Sequence, residues 1–192
     1  MLKYHVPDLS GLHLRGGVFL LERVFRGGGP SDYRAYGLVV NFIRLTDLAL
    51  EEYELARRAV LDFASRTEGL LHPVIPANHF EACIVALKRA LDHLVALKAS
   101  PHVPMGLKAL LPRHTLILSS GVAKKATDMR DAIQHLDEKI RAGEIAEKEP
   151  LMPLFMEEAL GLGSLEIKYS ELASWITELN TLAEIVARYR EN

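Results

Sequence analysis

The chain has 192 residues, a formal net charge of −2, 49% hydrophobic residues and 25% charged residues. That much apolar sequence provides a sizeable core and excludes an intrinsically disordered chain, while the near-neutral charge excludes nucleic-acid binding by bulk charge and leaves only a local patch for it. The single cysteine, Cys83, excludes an internal disulfide and fits a reducing, cytoplasmic compartment; no apolar run reaches the length of a membrane span, and residues 1–17 lack a signal peptide's continuous apolar region.

Residues 1–30 read as an N-terminal extension ahead of a domain over 31–192. Gly16-Gly17 and Gly27-Gly28-Gly29-Pro30 punctuate it. The apolar run between them, residues 18–26, fits an edge strand or a short helix, and its periodicity does not choose. The glycine run reads as a joint. A phosphate-cradling loop would need a strand before it, a helix after it and a Lys-Ser/Thr pair, which is missing.

Ser31 or Asp32 is placed to cap a helix. From Tyr33 no proline intervenes before Pro73, and Leu38, Phe42, Leu45, Ala49, Tyr53, Ala56, Val60 and Phe63 form one apolar stripe. That predicts a helix of about thirty residues, the long arm of a bundle. Gly69 and Pro73 end it, and residues 70–76 read as a two-proline loop. Asn78 and Glu81 have capping-box spacing, and Phe80, Ile84, Leu87, Leu91 and Leu94 predict a second helix over 78–98. Cys83 beside that stripe reads as a small core residue. Pro101 and Pro104 stop the helix. A short helical turn is expected at 107–111.

A third helix is expected from Ser119 or Ser120 to Gly143, a good C-cap residue. Met129, Ile133, Leu136 and Ile140 form its stripe, and Val122 and Ala126 extend it backwards. After a charged stretch, residues 154–159 and 165–169 flank Gly161-Leu162-Gly163-Ser164 and predict a small β-hairpin, since Glu166 and Lys168 alternate with Leu165, Ile167 and Tyr169. Ser170 is placed to cap a last helix carrying Leu172, Ile176, Leu179, Leu182, Val186 and Tyr189, with Trp175 packing beside them. The predicted fold is mainly α: an antiparallel up-and-down bundle of about four main helices, with a small β-hairpin before the last.

Chemistry-bearing motifs are sparse. None of the eight histidines forms HExxH or stands at zinc-ligand spacing from cysteine, and no GxSxG elbow is present. His72 and His79 bracket a loop without a carboxylate pattern. Glu51-Glu52 and Glu157-Glu158 are adjacent pairs, which do not face each other on a helix. No metal and no cofactor is expected. What stands out is Arg130, Asp131 and His135, which lie off the apolar stripe of the third helix. Imidazole can exchange a proton with a ribose 2′-hydroxyl or a leaving oxygen, and guanidinium can hold a phosphate through two parallel hydrogen bonds. Asp131, one turn before His135, could orient the ring. A two-fold dimer would bring two such sets into one cleft.

Arg130-Asp131-Ala132-Ile133-Gln134-His135 resembles the Arg-x4-6-His motif of HEPN-like proteins, in which a polar residue often follows the arginine. The resemblance implies a dimeric, metal-independent endoribonuclease of the kind common in toxin–antitoxin and phage-defence systems. It also implies catalytic roles for Arg130 and His135, with Asp131 as the auxiliary polar residue. A second spacing match, Arg66 to His72, spans the Gly69 loop. Lys124, Lys125 and Arg141 would supply the RNA-contacting cations, largely offset by Asp128, Asp131, Asp137 and Glu138. The partners expected are a second copy, an RNA substrate and an antitoxin or defence-system protein, with no membrane. The competing expectation is a catalytically silent HEPN-like dimer serving as a protein-interaction module. A weaker third is a helical regulator that binds a small molecule in a polar-lined pocket.

Overall fold

The computed structural model describes residues 3–65, 74–145 and 150–191. The segment left open by periodicity is helical: α1 spans Gly16–Arg26. Tertiary contacts decide this. Asp47 Oδ2 accepts the Arg15 and Gly16 backbone N–H groups at 2.9 and 2.6 Å, satisfying donors that a helix start leaves open. Phe19 is buried against Tyr36, ring centroids 6.0 Å apart. Residues 3–15 run as a strap along the bundle, and Val6 and Leu9 join its core.

Asp32 caps the long helix, its Oδ1 accepting the Arg34 and Ala35 N–H groups at 2.7 and 3.1 Å. Helix α2 then runs Tyr33–Ser65. Of the expected stripe, Phe42, Leu45, Ala49, Tyr53, Ala56 and Val60 are fully buried, while Leu38 and Phe63 are half-buried and Val39 takes the core position beside Leu38. Helix α3, Val74–Ala99, starts earlier than expected. Pro76 lies in its first turn, where a missing N–H leaves no bond unmade. Asn78 and Glu81 are therefore interior, and the expected capping box does not mark the start. The connection before it, with Gly69, Pro73, His72 and the Arg66–His72 spacing, lies outside the described residues.

Helix α4, Met105–Leu110, buries Leu107. The expected third helix is broken in two, α5 over Ser120–Gln134 and α6 over Leu136–Ala142. The break is His135, at φ −94° and ψ 3°. Gly143 closes α6 at φ 69°, a left-handed conformation that glycine adopts without strain. The hairpin is a three-stranded antiparallel sheet in the order β1-β2-β3, with β1 at Leu154–Phe155, β2 at Ala159–Leu162 and β3 at Leu165–Lys168. The expected first strand folds back on itself, because Met156 N–H donates to Ala159 O at 2.8 Å. Gly161 and Leu162 pair with Glu166 and Leu165, so the turn shrinks to Gly163-Ser164. Helix α7, Tyr169–Ala187, starts one residue before the expected cap. The N-cap is Lys168, and Glu171 Oε2 reaches back to accept its N–H at 3.0 Å; Ser170, expected to cap, lies within the first turn.

Cross-links fix the helix directions. Glu52 meets His79 and Arg34 meets His102, so α2 and α3 are antiparallel. Ser31 N–H reaches Glu191, so α7 returns along α2 in the opposite direction. Glu178 accepts the Leu116 and Ile117 N–H groups ahead of α5, while Lys125 within α5 meets Glu171 at the start of α7; α5 is thus antiparallel to α7. The result is an up-down-up-down bundle. Its centre is an aromatic run. Phe80 lies edge-on to Tyr53 at 6.3 Å and stacks on Tyr169 at 5.1 Å. The two hydroxyls donate to Pro7 O and Met156 O, each at 3.0 Å. Cys83 and Trp175 are core residues, and burial pushes the Cys83 thiol well above its ordinary range. Among the described residues no helix is long and apolar enough to cross a membrane.

Phe80→Ala removes the middle ring and leaves a cavity. It should cost about 3–5 kcal/mol, read as a lower urea midpoint by Trp175 fluorescence. Burial pushes the Asp47 carboxyl above its ordinary value. Folding therefore favours its protonated form, and its contribution to stability declines as pH rises through the folded-state value. Measured from acid toward neutral pH, the stability of wild type relative to Asp47→Asn should fall as pH rises.

Candidate functional site

The Arg130–His135 face is made by the end of α5 and the start of α6. The apolar stripe beneath it loses the core step by step. Met129 is fully buried, Ile133 and Leu136 are half-buried, and Ile140 is 41% exposed. No residue of α6 is buried. The expectation of one helix held down through Ile140 is thus corrected: α5 is anchored as far as Met129, and α6 is a bent continuation. After the bend, Leu136 lines a crevice of about 190 Å³ with Ala132, Lys139, Leu162 and Leu165, between α6 and the β2–β3 turn.

The bend redistributes the polar contacts. His135 Nδ1 lies 2.8 Å from Glu138 Oε2, in the first turn of α6, where a carboxylate is favoured by the helix dipole. The His135 side chain is 57% exposed, and its Nε2 has no hydrogen-bond partner among the described residues. Asp131 does not hold the ring. Its Oδ1 sits 3.0 Å from Arg130 Nε, an ion pair without hydrogen-bond alignment, and its main-chain oxygen accepts the His135 N–H. Arg130 Nη1 donates to Gln134 Oε1 at 3.0 Å. Among the described residues, no hydrogen bond or ion pair joins Arg130 to His135. The structure brings the three residues onto one ridge, with Arg130 turned along α5 and His135 turned toward α6.

Sequence reasoning missed Glu138 and Gln134. Both were findable: Glu138 follows His135 by three and Gln134 follows Arg130 by four, the spacings at which helical side chains meet. The bend favours the first spacing over the Asp131–His135 one.

The three expected RNA-contacting cations have partners. Lys124 pairs with Asp128 at 2.5 Å and Lys125 with Glu171 at 2.6 Å, and Arg141 Nε donates to Asp137 O. Burial raises the Glu171 carboxyl, but Lys125 and the Lys168 N–H outweigh that and hold it below its ordinary value. Glu81, opposite α6, is raised by burial and by the Asp137 charge. The surroundings of His135 are therefore mixed in charge. His79 bonds Glu52 at 2.7 Å, and its expected companion His72 lies outside the described residues. Among the described residues no three metal-ligating side chains gather. The chain matches no family model, no curated protein and no solved structure.

Because His135 is exposed and Met129 is enclosed, their truncations should separate. His135→Ala should change stability by less than about 0.5 kcal/mol, whereas Met129→Ala should cost about 2–5 kcal/mol. Chemical denaturation of the two variants measures the difference.

Proposed function

We propose that this protein is a metal-independent endoribonuclease of HEPN type, a toxin or defence effector acting in the cytoplasm as a homodimer. The observation that carries the reading is the Glu138–His135 contact. A carboxylate on Nδ1 fixes the ring and leaves Nε2 with a free lone pair at the surface. That nitrogen takes the proton of a ribose 2′-hydroxyl. The 2′-oxygen then attacks the adjacent phosphorus, the 5′-oxygen departs with a proton, and a 2′,3′-cyclic phosphate and a 5′-hydroxyl result. Arg130, released from Gln134, grips the non-bridging oxygens in two parallel bonds, and Asp131 steadies the guanidinium. The second copy's histidine, in its doubly protonated imidazolium form, gives the proton that leaves with the 5′-oxygen. Lys124, Lys125 and Arg141 exchange their carboxylate and carbonyl partners for phosphates. An antitoxin or defence-system partner would cover the same ridge.

The second reading is a catalytically silent helical module that binds a partner protein. It is favoured by the engagement of Arg130 with Gln134 and Asp131, and by the carboxylates that pair with Lys124 and Lys125.

Incubation with single-stranded RNA in excess EDTA separates the two. The nuclease reading expects cyclic-phosphate ends, a loss of at least about 10²-fold in rate for His135→Ala and a similar loss for Arg130→Ala. Glu138→Gln should lose less, and Lys124→Ala should weaken binding without changing the cleavage step. Equal behaviour of wild type and His135→Ala would remove the nuclease reading and leave the module.

A further inference from the structure

Helix α1 turns an arc of apolar side chains outward, Val24 and Phe25 being 77% and 78% exposed. One flank of this arc borders a groove of about 400 Å³ shared with α2, a volume within the range of sites that hold a small organic molecule. Phe19 and Ile43, both almost fully buried, form its floor, and Leu20, Val40 and Leu48 line its sides. The lining is apolar except along one face of α2, where Arg44, Asp47 and Glu51 follow one another at spacings of three and four.

The two glycines that open α1 both border the groove, for different reasons. A Cβ at Gly16 would stand 3.0 Å from Asp47 Oδ2, the atom that accepts the Gly16 N–H, so the cap itself requires glycine there. A Cβ at Gly17 would meet nothing within 4 Å, and the φ of Gly17 is not positive. Glycine weakens a helix interior, and neither backbone conformation nor a close contact asks for it at this position. What its missing side chain supplies is width in the groove.

The charges sort to one end. Arg44 lends the groove its stem, but its Nη2 donates to Asn41 Oδ1 at 3.2 Å, and Asn41 is not part of the groove. Asp47 and Glu51 stand one turn apart on α2, beside the start of α1. Asp47 accepts the Arg15 and Gly16 N–H groups; burial raises its carboxyl, and the Glu51 charge adds to the rise. Glu51 is exposed and has no hydrogen-bond or ion-pair partner among the described residues. Two neighbouring carboxylates at the end of an apolar groove repel an acid and favour a ligand that brings a positive charge with an apolar body. We infer that the α1–α2 groove binds a small apolar amine, its ammonium at Glu51 and Asp47 and its hydrocarbon running past Gly17 toward Leu20 and Val40. The site lies on α1 and α2, whereas α5 packs on α3 and the sheet, so it does not rest on the nuclease reading.

Isothermal titration of the full chain with octylamine, octanol and octanoate, which share one chain length, tests this. Octylamine should bind about tenfold more tightly than octanol, the worth of one hydrogen bond to a charged group, and octanoate should bind most weakly. Octylamine should also shift the Gly17 amide in the proton–nitrogen spectrum. Glu51→Gln, at an exposed position, should bring octylamine down to the octanol level with the fold intact. Gly17→Leu fills the groove and should abolish binding of both octylamine and octanol with an unchanged far-ultraviolet spectrum. The proposal is overturned if octylamine does not bind, if octanoate binds as tightly as octylamine, if Glu51→Gln leaves octylamine binding unchanged, or if that binding survives Gly17→Leu.

Discussion

Phe80 is where the fold is tied together. Its ring lies between Tyr53 of α2 and Tyr169 of α7, so one side chain of α3 touches both α2 and the start of α7. The outer rings then fasten the irregular parts. Tyr53 holds the N-terminal strap through Pro7, and Tyr169 holds the β1–β2 turn through Met156. Buried tyrosines need a partner for each hydroxyl, and here each partner is a main-chain carbonyl of a segment with little regular structure of its own. The same two bonds that satisfy the core thus position the strap and the sheet.

What this centre does not reach is α6. The core encloses α5 at Ala126 and Met129, and beyond that Ala132, Ile133 and Leu136 pack against it only half-buried. The helix break at His135 falls where that burial declines. In a straight helix Asp131 and Glu138 would compete for the ring; at the bend Asp131 turns to Arg130 and Glu138 takes Nδ1.

The parts of the fold legible in the sequence were those with a long buried stripe. The stripes of α2 and α7 were read correctly because nearly every apolar position on them faces the core. Helix α3 was begun too late, since Pro73 and Pro76 look like a loop although a first turn accepts proline. Strand β1, Leu154–Phe155, is too short to carry a period. Helix α1 was undecidable for a different reason: its apolar arc faces outward, and the contacts that fix it, Asp47 and Tyr36, are distant in sequence. That Arg130, Asp131 and His135 stay out of the core was legible, because they lie off the apolar stripe. Their partners were not, because the helix break at His135 leaves Asp131 beside Arg130 and Glu138 beside the ring.

The proposed chemistry rests on one hydrogen bond, between Glu138 and His135 Nδ1. If Glu138 accepts that bond, neutral His135 carries its proton on Nδ1 and offers a bare Nε2. Long-range proton–nitrogen correlation of the ring, at a pH where it is neutral, reads the tautomer directly. The predicted result is the Nδ1–H form in wild type, with a shift toward Nε2–H in Glu138→Gln. A predominantly Nε2–H ring in wild type, unchanged by Glu138→Gln, would contradict it.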